Sequence, residues 1–423
     1  MSKLKEKNWY PWLVVGLLWV VALLNYMDRQ LLSTMQAQIG ADITELQSAE
    51  NFGRLMAAFL WIYGIFSPIA GSIADRLSRK WLIIGSLVVW SAVTTAMAWC
   101  TTFEQMWWLR ATMGVSEALY IPAGLALIAE YHTGRTRSLA VGIHMTGIYI
   151  GQALGGFGET LSIGMSWQSV FHYLGLIGVG YGLVLMLLLQ DKHTLREKAL
   201  ERRQHAATAP GLGSSLSSLF RTPAFWVLLF VFAVPSLPGW ATKNWLPTLF
   251  NENLDGITMS TAGPLSTISI AASSFVGVLV GGVISDRWLR RDVRGRVYTG
   301  AIGLGMMIPA LVLIGLGSSI VSLVGATLFF GIGYGLFDAN NMPILCQFVP
   351  DHLRSTAYGF MNMMGVFAGA LITQLMGAWA DKGTENLGLT FALLGGVLVF
   401  ALALELIFLK PKHADMKAEH FQS

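Results

Sequence analysis

The sequence predicts an all-α membrane protein with twelve transmembrane helices in two pseudo-symmetric six-helix bundles. Three observations carry that expectation. Hydrophobic residues make up 54% of 423 and charged residues 12%, with a mean hydropathy of +0.57, whereas ordinary soluble domains carry about 25% charged residues. The apolar residues fall in runs of roughly twenty, the length that crosses a hydrocarbon core of about 30 Å. Patterns in the first half of the chain recur in the second, as internal repeats do.

Taken in order, the first six spans are expected near 12–35, 52–74, 81–100, 104–131, 138–161 and 168–189. The second six are expected near 223–249, 260–285, 297–316, 320–347, 355–378 and 387–409. The first apolar run, from Trp9, ends in Asn25, Tyr26, Asp28 and Arg29 without a small-residue cleavage site, so it reads as a retained span. The 46 glycines suit close helix approach and the 15 tryptophans suit membrane interfaces. Cys100 and Cys346 lie far apart in apolar runs and imply neither a disulfide framework nor a metal site.

Positive charge gathers in alternate loops: Lys3, Lys5 and Lys7; Arg76, Arg79 and Lys80; Arg135 and Arg137; then Arg287, Arg290, Arg291, Arg294 and Arg296. The intervening loops are acidic or neutral, so both termini are expected in the cytoplasm, at the inner membrane if the source is bacterial. This topology also accounts for the net charge of +4 without invoking nucleic acid. Residues 190–222 are the one long polar stretch and read as a cytoplasmic linker between a bundle at 1–189 and a second at 223–423 that ends in a short cytoplasmic tail. Its basic part, Lys192 to Gln204, suits either a helix on the membrane surface or a solvated connector.

The repeat is most explicit in two loops. Gly71-Ser-Ile-Ala-Asp75-Arg76-Leu-Ser-Arg79-Lys80 follows the second span, and Gly281-Gly-Val-Ile-Ser-Asp286-Arg287-Trp-Leu-Arg290-Arg291 follows the eighth. Arg137-Ser138 with Gly142 precedes the fifth span, and Arg354-Ser355 with Gly359 precedes the eleventh. The chain thereby resembles the major facilitator superfamily, whose signature is a Gly-x-x-x-Asp-Arg-x-x-Arg/Lys loop between helices two and three. The resemblance covers nearly the whole chain and implies two bundles rocking about a midplane site. Gly71, Asp75, Arg76, Arg79, Asp286 and Arg287 are then expected to gate rather than bind, with Asp75 latching an arginine and a helix N-terminus.

Charges inside spans are costly and therefore informative. In the first span, Asn25-Tyr26-Met27-Asp28-Arg29-Gln30 reads as a cavity wall, with a solvated outer interface as the bland alternative. Asp28 and Arg29 point about 100 degrees apart, so each needs its own partner. In the fourth span, Arg110 and Glu117 are two turns apart on one face, near Tyr120. They can pair with each other or with the first span, and a purely structural ion pair is the bland alternative. In the seventh span, Pro235, Pro238 and Gly239 predict a break, and Lys243 beyond it is either a substrate cation or a snorkelling side chain. In the tenth span, Asp338, Asn340 and Asn341 suit a hydroxylated ligand. Asp338 reads first as a partner of Lys243, then as a proton site, then as a sodium ligand. His144, Asn362, Tyr63 and Trp61 are read as either packing or cavity residues.

Tyr26-Met27-Asp28-Arg29 together with Arg110 and Glu117-Ala118 resembles the anion:cation symporter branch, which includes hexuronate and aldonate carriers and sialin; the Trp245-Leu246-Pro247 end of the seventh span resembles it too. That resemblance implies that Arg29 contacts a substrate carboxylate, that Asp28 and Glu117 take part in proton coupling, and that Arg110 tunes Glu117. Asp338 departs from the branch's pattern.

The expected function is proton-coupled symport of a small organic anion such as a hexuronate, aldonate or sialic acid, with sodium as the lesser alternative to the proton. The substrate-binding set is Arg29, Tyr26, Tyr63, Tyr120, His144, Lys243, Asn340, Asn341 and Asn362, and the proton-coupling set is Asp28, Glu117, Arg110 and Asp338. Lysolipid or sphingolipid export of the spinster type, and multidrug efflux, are the alternatives. No nucleophile–base constellation, cofactor motif or metal cluster is present in the sequence, so an enzyme is not expected. The lipid bilayer is the expected surrounding partner and the chain is expected to act as a monomer.

Overall fold

The computed structural model describes residues 7–132, 136–192, 217, 219–350, 353–383 and 385–411, except the side chains of 71, 72, 75, 76, 355 and 385. Among them are twelve long helices, one at each expected span. The first set is α1 (Tyr10–Leu32), α3 (Ala49–Arg76), α4 (Arg79–Met97), α5 (Phe103–Tyr131), α6 (Arg137–Gly155) and α8 (Trp167–Leu188). The second set is α9 (Pro223–Asn253), α10 (Met259–Leu289), α11 (Gly295–Leu316), α12 (Ile320–Phe348), α13 (Arg354–Ala380) and α14 (Glu385–Phe408). Two short helices, α2 (Gln36–Asp42) and α7 (Gly158–Gly164), lie beside the ends of α1 and α6. Eleven of the long helices are long and apolar enough to cross a membrane; α6, which carries Arg137, His144 and Gln152, is the twelfth.

Helix starts follow local chemistry. The hydroxyls of Ser48, Ser78, Thr102, Ser166 and Ser319 each accept a backbone N–H two or three residues into α3, α4, α5, α8 and α12, satisfying donors that a bilayer cannot. The outward faces are apolar: Val321 is 84% exposed and Leu316 72%. In water such a surface would drive aggregation, and against lipid it is the solvent-facing side.

Two expectations need correction. The fifth span does not run to 161: α6 ends at Gly155, and α7 begins at Gly158 after a turn. There Gly156 meets Gly263 of α10 so closely that a Cβ on Gly263 would lie 2.3 Å from the Gly156 carbonyl oxygen. Nor do the prolines break the seventh span. Helix α9 runs unbroken through Pro235, Pro238 and Pro247, because proline's fixed φ is itself helical and each ring removes one hydrogen bond. Ser236 donates to the Phe232 carbonyl at 2.8 Å and Thr242 to those of Pro238 and Gly239 at 2.9 and 3.0 Å, re-satisfying backbone in the way membrane helices allow.

Two helix pairs join the first set to the second. Along α3 and α13, contacts run from Ser48 with Asp381 to Ser67 with Asn362, and Trp61 packs on Phe367. Along α6 and α10 they run from Thr267 on the Ala153 carbonyl to Tyr149 on Phe275. The beginning of α3 and the end of α13 meet on the face opposite the one where α1 begins and α14 ends, here called the far face and the terminus face.

Candidate functional site

Six charged residues inside the spans gather between the two sets of helices. From α1, Arg29 Nε donates to Glu117 Oε2 of α5 at 2.5 Å. Its guanidinium lies over the rings of Tyr26, Phe59 and Tyr63 at 4.9, 4.6 and 5.1 Å, so three aromatic faces and one carboxylate hold the cation. Two groups are left over: Arg29 Nη2 and Glu117 Oε1 are buried without hydrogen-bond partners. Asp28, directed away from Arg29 as helix geometry requires, accepts from Thr94 of α4 at 2.5 Å.

Glu117 therefore pairs with the first span, and Arg110 acts on it through space without a direct ion pair among the described residues. Arg110 is buried, places its guanidinium 5.1 Å from the Phe59 ring centre and donates to Met113 Sδ at 3.3 Å. At Gly114 a Cβ would lie 2.6 Å from the Phe59 carbonyl oxygen, so α3 packs tightly on α5 beside Arg110.

The second set supplies Lys243 and Asp338. Lys243 Nζ sits 4.8 Å from the Trp240 ring centre and 5.8 Å from that of Tyr334, so it turns inward instead of snorkelling to the far interface. Asp338 acts on it through space and accepts from Asn341 Nδ2 at 3.2 Å; no direct Lys243–Asp338 ion pair forms among the described residues. Gly239 makes this possible, since a Cβ there would strike the Tyr334 ring at 2.6 Å. Across the boundary, Gln30 Nε2 donates to the Lys243 carbonyl at 2.7 Å. Three cations, Arg29, Arg110 and Lys243, thus share one enclosed region with three carboxyls, Asp28, Glu117 and Asp338.

Other expected ligand contacts lie elsewhere. Tyr120 is fully buried, donates to the Leu18 carbonyl at 2.8 Å and packs edge-on against Trp90 and His144. His144 is also fully buried. Both belong to the packing between α1, α5 and α6 and offer no free surface in this conformation. Asn340 is buried and donates to its own helix at the Leu336 carbonyl, while Asn362 bonds Ser67 at 2.7 Å and so joins α13 to α3. Of the gating set, the side chains of Gly71, Asp75 and Arg76 lie outside the described residues. Arg79 pairs with Glu130 of α5, inside the first set of helices, and Asp286 and Arg287 are exposed on the terminus face.

Sequence reasoning missed Phe59, Thr94, Trp240 and Tyr334, whose roles come only from packing. It also missed Asp381. This residue follows α13, and its carboxylate accepts from Ser48 Oγ at 2.6 Å and from the N–H groups of Ala49 and Glu50 at 2.8 and 2.9 Å. It thereby caps the N-terminus of α3 from the other set of helices. Partial burial pushes its carboxyl up, but the three hydrogen bonds outweigh that and hold it below the usual carboxylate range.

Apolar helices long enough to span a bilayer, with charged side chains gathered between two sets of six, are the architecture of a membrane transporter. The chain belongs to the Major Facilitator Superfamily, whose profile matches residues 18–373. It is 23% identical to the hexuronate transporter of Bacillus subtilis (strain 168) over 418 residues, which cover 96% of this chain and 97% of that one. It is 26% identical to the gallate transporter of Pseudomonas putida over 441 residues, covering 97% and 93%. Its fold matches the inward-facing, unoccupied crystal structure of a bacterial homologue of the human lysosomal transporter Spinster, with a TM-score of 0.76, 18% identity, and coverage of 97% and 99%. The relatives are consistent with the anion:cation symporter branch of the superfamily.

Proposed function

We propose that the protein is a proton-coupled symporter of a small organic anion, of the sugar-acid or aromatic-acid class, working by alternating access between bundles at 1–189 and 223–423 joined by a linker at 190–222. The observation that carries this reading is the Arg29–Glu117 pair at 2.5 Å with an unpartnered guanidinium nitrogen beside it. Glu117 occupies Arg29 as a substrate carboxylate would. Arg29 is then the substrate cation, with Tyr26 and Tyr63 beside it and Lys243 and Asn341 opposite.

The coupling follows from charge balance. Three cations and three carboxyls leave the site neutral when all are ionised. A proton on Glu117 releases Arg29 and leaves one positive charge unneutralised in a low-dielectric interior. Breaking a buried pair without replacement costs about 3–5 kcal/mol, and the substrate carboxylate supplies the replacement through the guanidinium fork. Proton and anion therefore load together, by a factor of roughly a hundred to several thousand over either alone. The names of the Bacillus subtilis and Pseudomonas putida relatives support an anionic substrate, and the positive loops support cytoplasmic termini, at the inner membrane if the source is bacterial.

Uptake into proteoliposomes tests the reading. Substrate-driven alkalinisation of the medium is expected for the native chain and is lost on Glu117→Gln. Alkalinisation that persists in this variant removes Glu117 from the coupling. Spinster-type lipid export, suggested by the shared fold, predicts instead that lysolipid competes for binding and sugar acids do not.

A further inference from the structure

The last helix holds a carboxyl that the mechanism above leaves unused. Glu405 of α14 is fully buried, and neither of its oxygens has a hydrogen-bond partner among the described residues. It lies one turn from the end of α14 and faces a cavity lined by Leu228, Val231, Phe337, Ile344 and Met361, with Asn341 contributing the other polar side chain. The space open to water centres is about 10 Å³, room for about one water. The fold makes way for the carboxyl: a Cβ on Gly300 of α11 would lie 2.7 Å from Glu405 Oε1.

No group on α9, α11, α12 or α13 that lines this cavity is charged. The charged side chains around it are Arg294, which donates to the Leu406 carbonyl at 2.6 Å, Arg296, one turn before Gly300 on α11, and Asp338, which accepts from Asn341; none of them pairs with Glu405. An ionised Glu405 would be a buried charge without a counter-ion, costing several kcal/mol. A hard cation is a poor occupant, since it gathers six or more oxygens and two side chains cannot supply them. An organic ligand exceeds the space.

We propose that Glu405 is a second proton-binding site, loaded from the terminus face and linked to Asp338 through one water and Asn341. The neutral carboxyl donates its O–H to the cavity water, and the water donates to Asn341 Oδ1. Asn341 Nδ2 donates in turn to Asp338, so each bond polarises the next. Deprotonating Glu405 reverses the direction of the first bond and weakens the hold on Asp338. One proton moves between bulk water and the Glu405 carboxylate, and no other bond changes. The idea rests on the proton-coupled reading for its use in transport, but the site itself needs no substrate.

Infrared spectra of the purified full chain in detergent test it. At about pH 7 a protonated-carboxyl C=O band is expected that disappears in Glu405→Gln, persists in Glu117→Gln, and shifts slowly in D₂O through the single water. Glu405→Asp, which keeps the carboxyl, is expected to retain the band at a moved frequency. A spectrum unchanged by Glu405→Gln, or a Glu405→Asp protein without the band, overturns the assignment. Loss of substrate-driven alkalinisation in the native chain refutes the transport reading and leaves this measurement intact, so the two failures are distinguishable.

Discussion

Replacing Asp381 by asparagine tests whether the far face is held shut by one carboxylate. In the structure this side chain reaches from the end of α13 to the start of α3 and makes three hydrogen bonds, at 2.6, 2.8 and 2.9 Å. Hydrogen bonds to a charged group contribute about 1.5–3 kcal/mol, and neutral ones about 0.5–1.5. A negative charge at a helix N-terminus adds about 0.3–1 kcal/mol. Because Asp381 is exposed, solvent screening places the net effect at the low end. Asp381→Asn keeps one acceptor and loses the charge, so the closed far face is expected to weaken by about 1–2 kcal/mol, a 5–30-fold shift in population.

Spin labels at Glu104, exposed in the first turn of α5, and Asp255, exposed in the loop between α9 and α10, both on the far face, report this shift as a longer distance component in pulsed electron resonance. The pH sign is fixed by the direction of the shift. A carboxyl held below its ordinary value stabilises the latch at every pH above the unlatched value of about 3.9, and the contribution disappears only as pH falls through the lower, latched value. The native distance distribution is therefore expected to be flat from about pH 8 to pH 5 as far as Asp381 is concerned. Unchanged distances in both Asp381→Asn and Asp381→Ala would refute the reasoning.

Arg29→Lys keeps the charge but removes the fork, and is expected to weaken binding of a carboxylated sugar by about ten- to a hundredfold in a thermal-shift titration; Arg79→Ala is expected to leave that response in place. Arg29→Gln alone strands Glu117 and is expected to destabilise the fold by about 3–5 kcal/mol, whereas Arg29→Gln with Glu117→Gln recovers most of the melting temperature but not transport. Gly377→Ala places a methyl 2.3 Å from the Ala49 carbonyl oxygen and is expected to lower the melting temperature by the equivalent of about 1–3 kcal/mol, with far-face opening visible by the same spin labels.

The fold was legible because lipid imposes one rule on the whole chain: every span must satisfy its own backbone and present apolar side chains, so length and hydropathy alone locate the helices. That rule is silent on pairing. It marked Arg29, Asp28 and Glu117 as costly, but which carboxyl meets which guanidinium depends on how α1 packs against α5. Pro235 and Pro238 misled because a motif that breaks a helix in water is tolerated where neighbouring helices and the hydroxyls of Ser236 and Thr242 support the backbone. Tyr120 and His144 show a different silence, since a polar atom in a span signals a need for a partner and not whether that partner is a ligand or, as for Tyr120 in this conformation, the Leu18 carbonyl. Asp381 resembles any loop aspartate until the fold brings Ser48 to it, and Glu405 resembles an interfacial residue near a helix end until Gly300 is seen to make room for it.

The balance of three cations against three carboxyls also bears on which form of membrane energy the carrier can use. If one proton accompanies each monovalent anion, the loaded site crosses with no net charge and the empty site returns the same way, so the transmembrane voltage performs no work on the cycle. Accumulation is then set by the pH difference alone, about tenfold per unit, or roughly 1.4 kcal/mol. A dicarboxylate carried with a single proton would move one negative charge inward against a negative interior, losing about 2.3 kcal/mol per 100 mV. The same cluster that admits a carboxylate thus discriminates between mono- and dianions by electrical work, and an uptake rate measured with the potential clamped by potassium and valinomycin reads that discrimination directly.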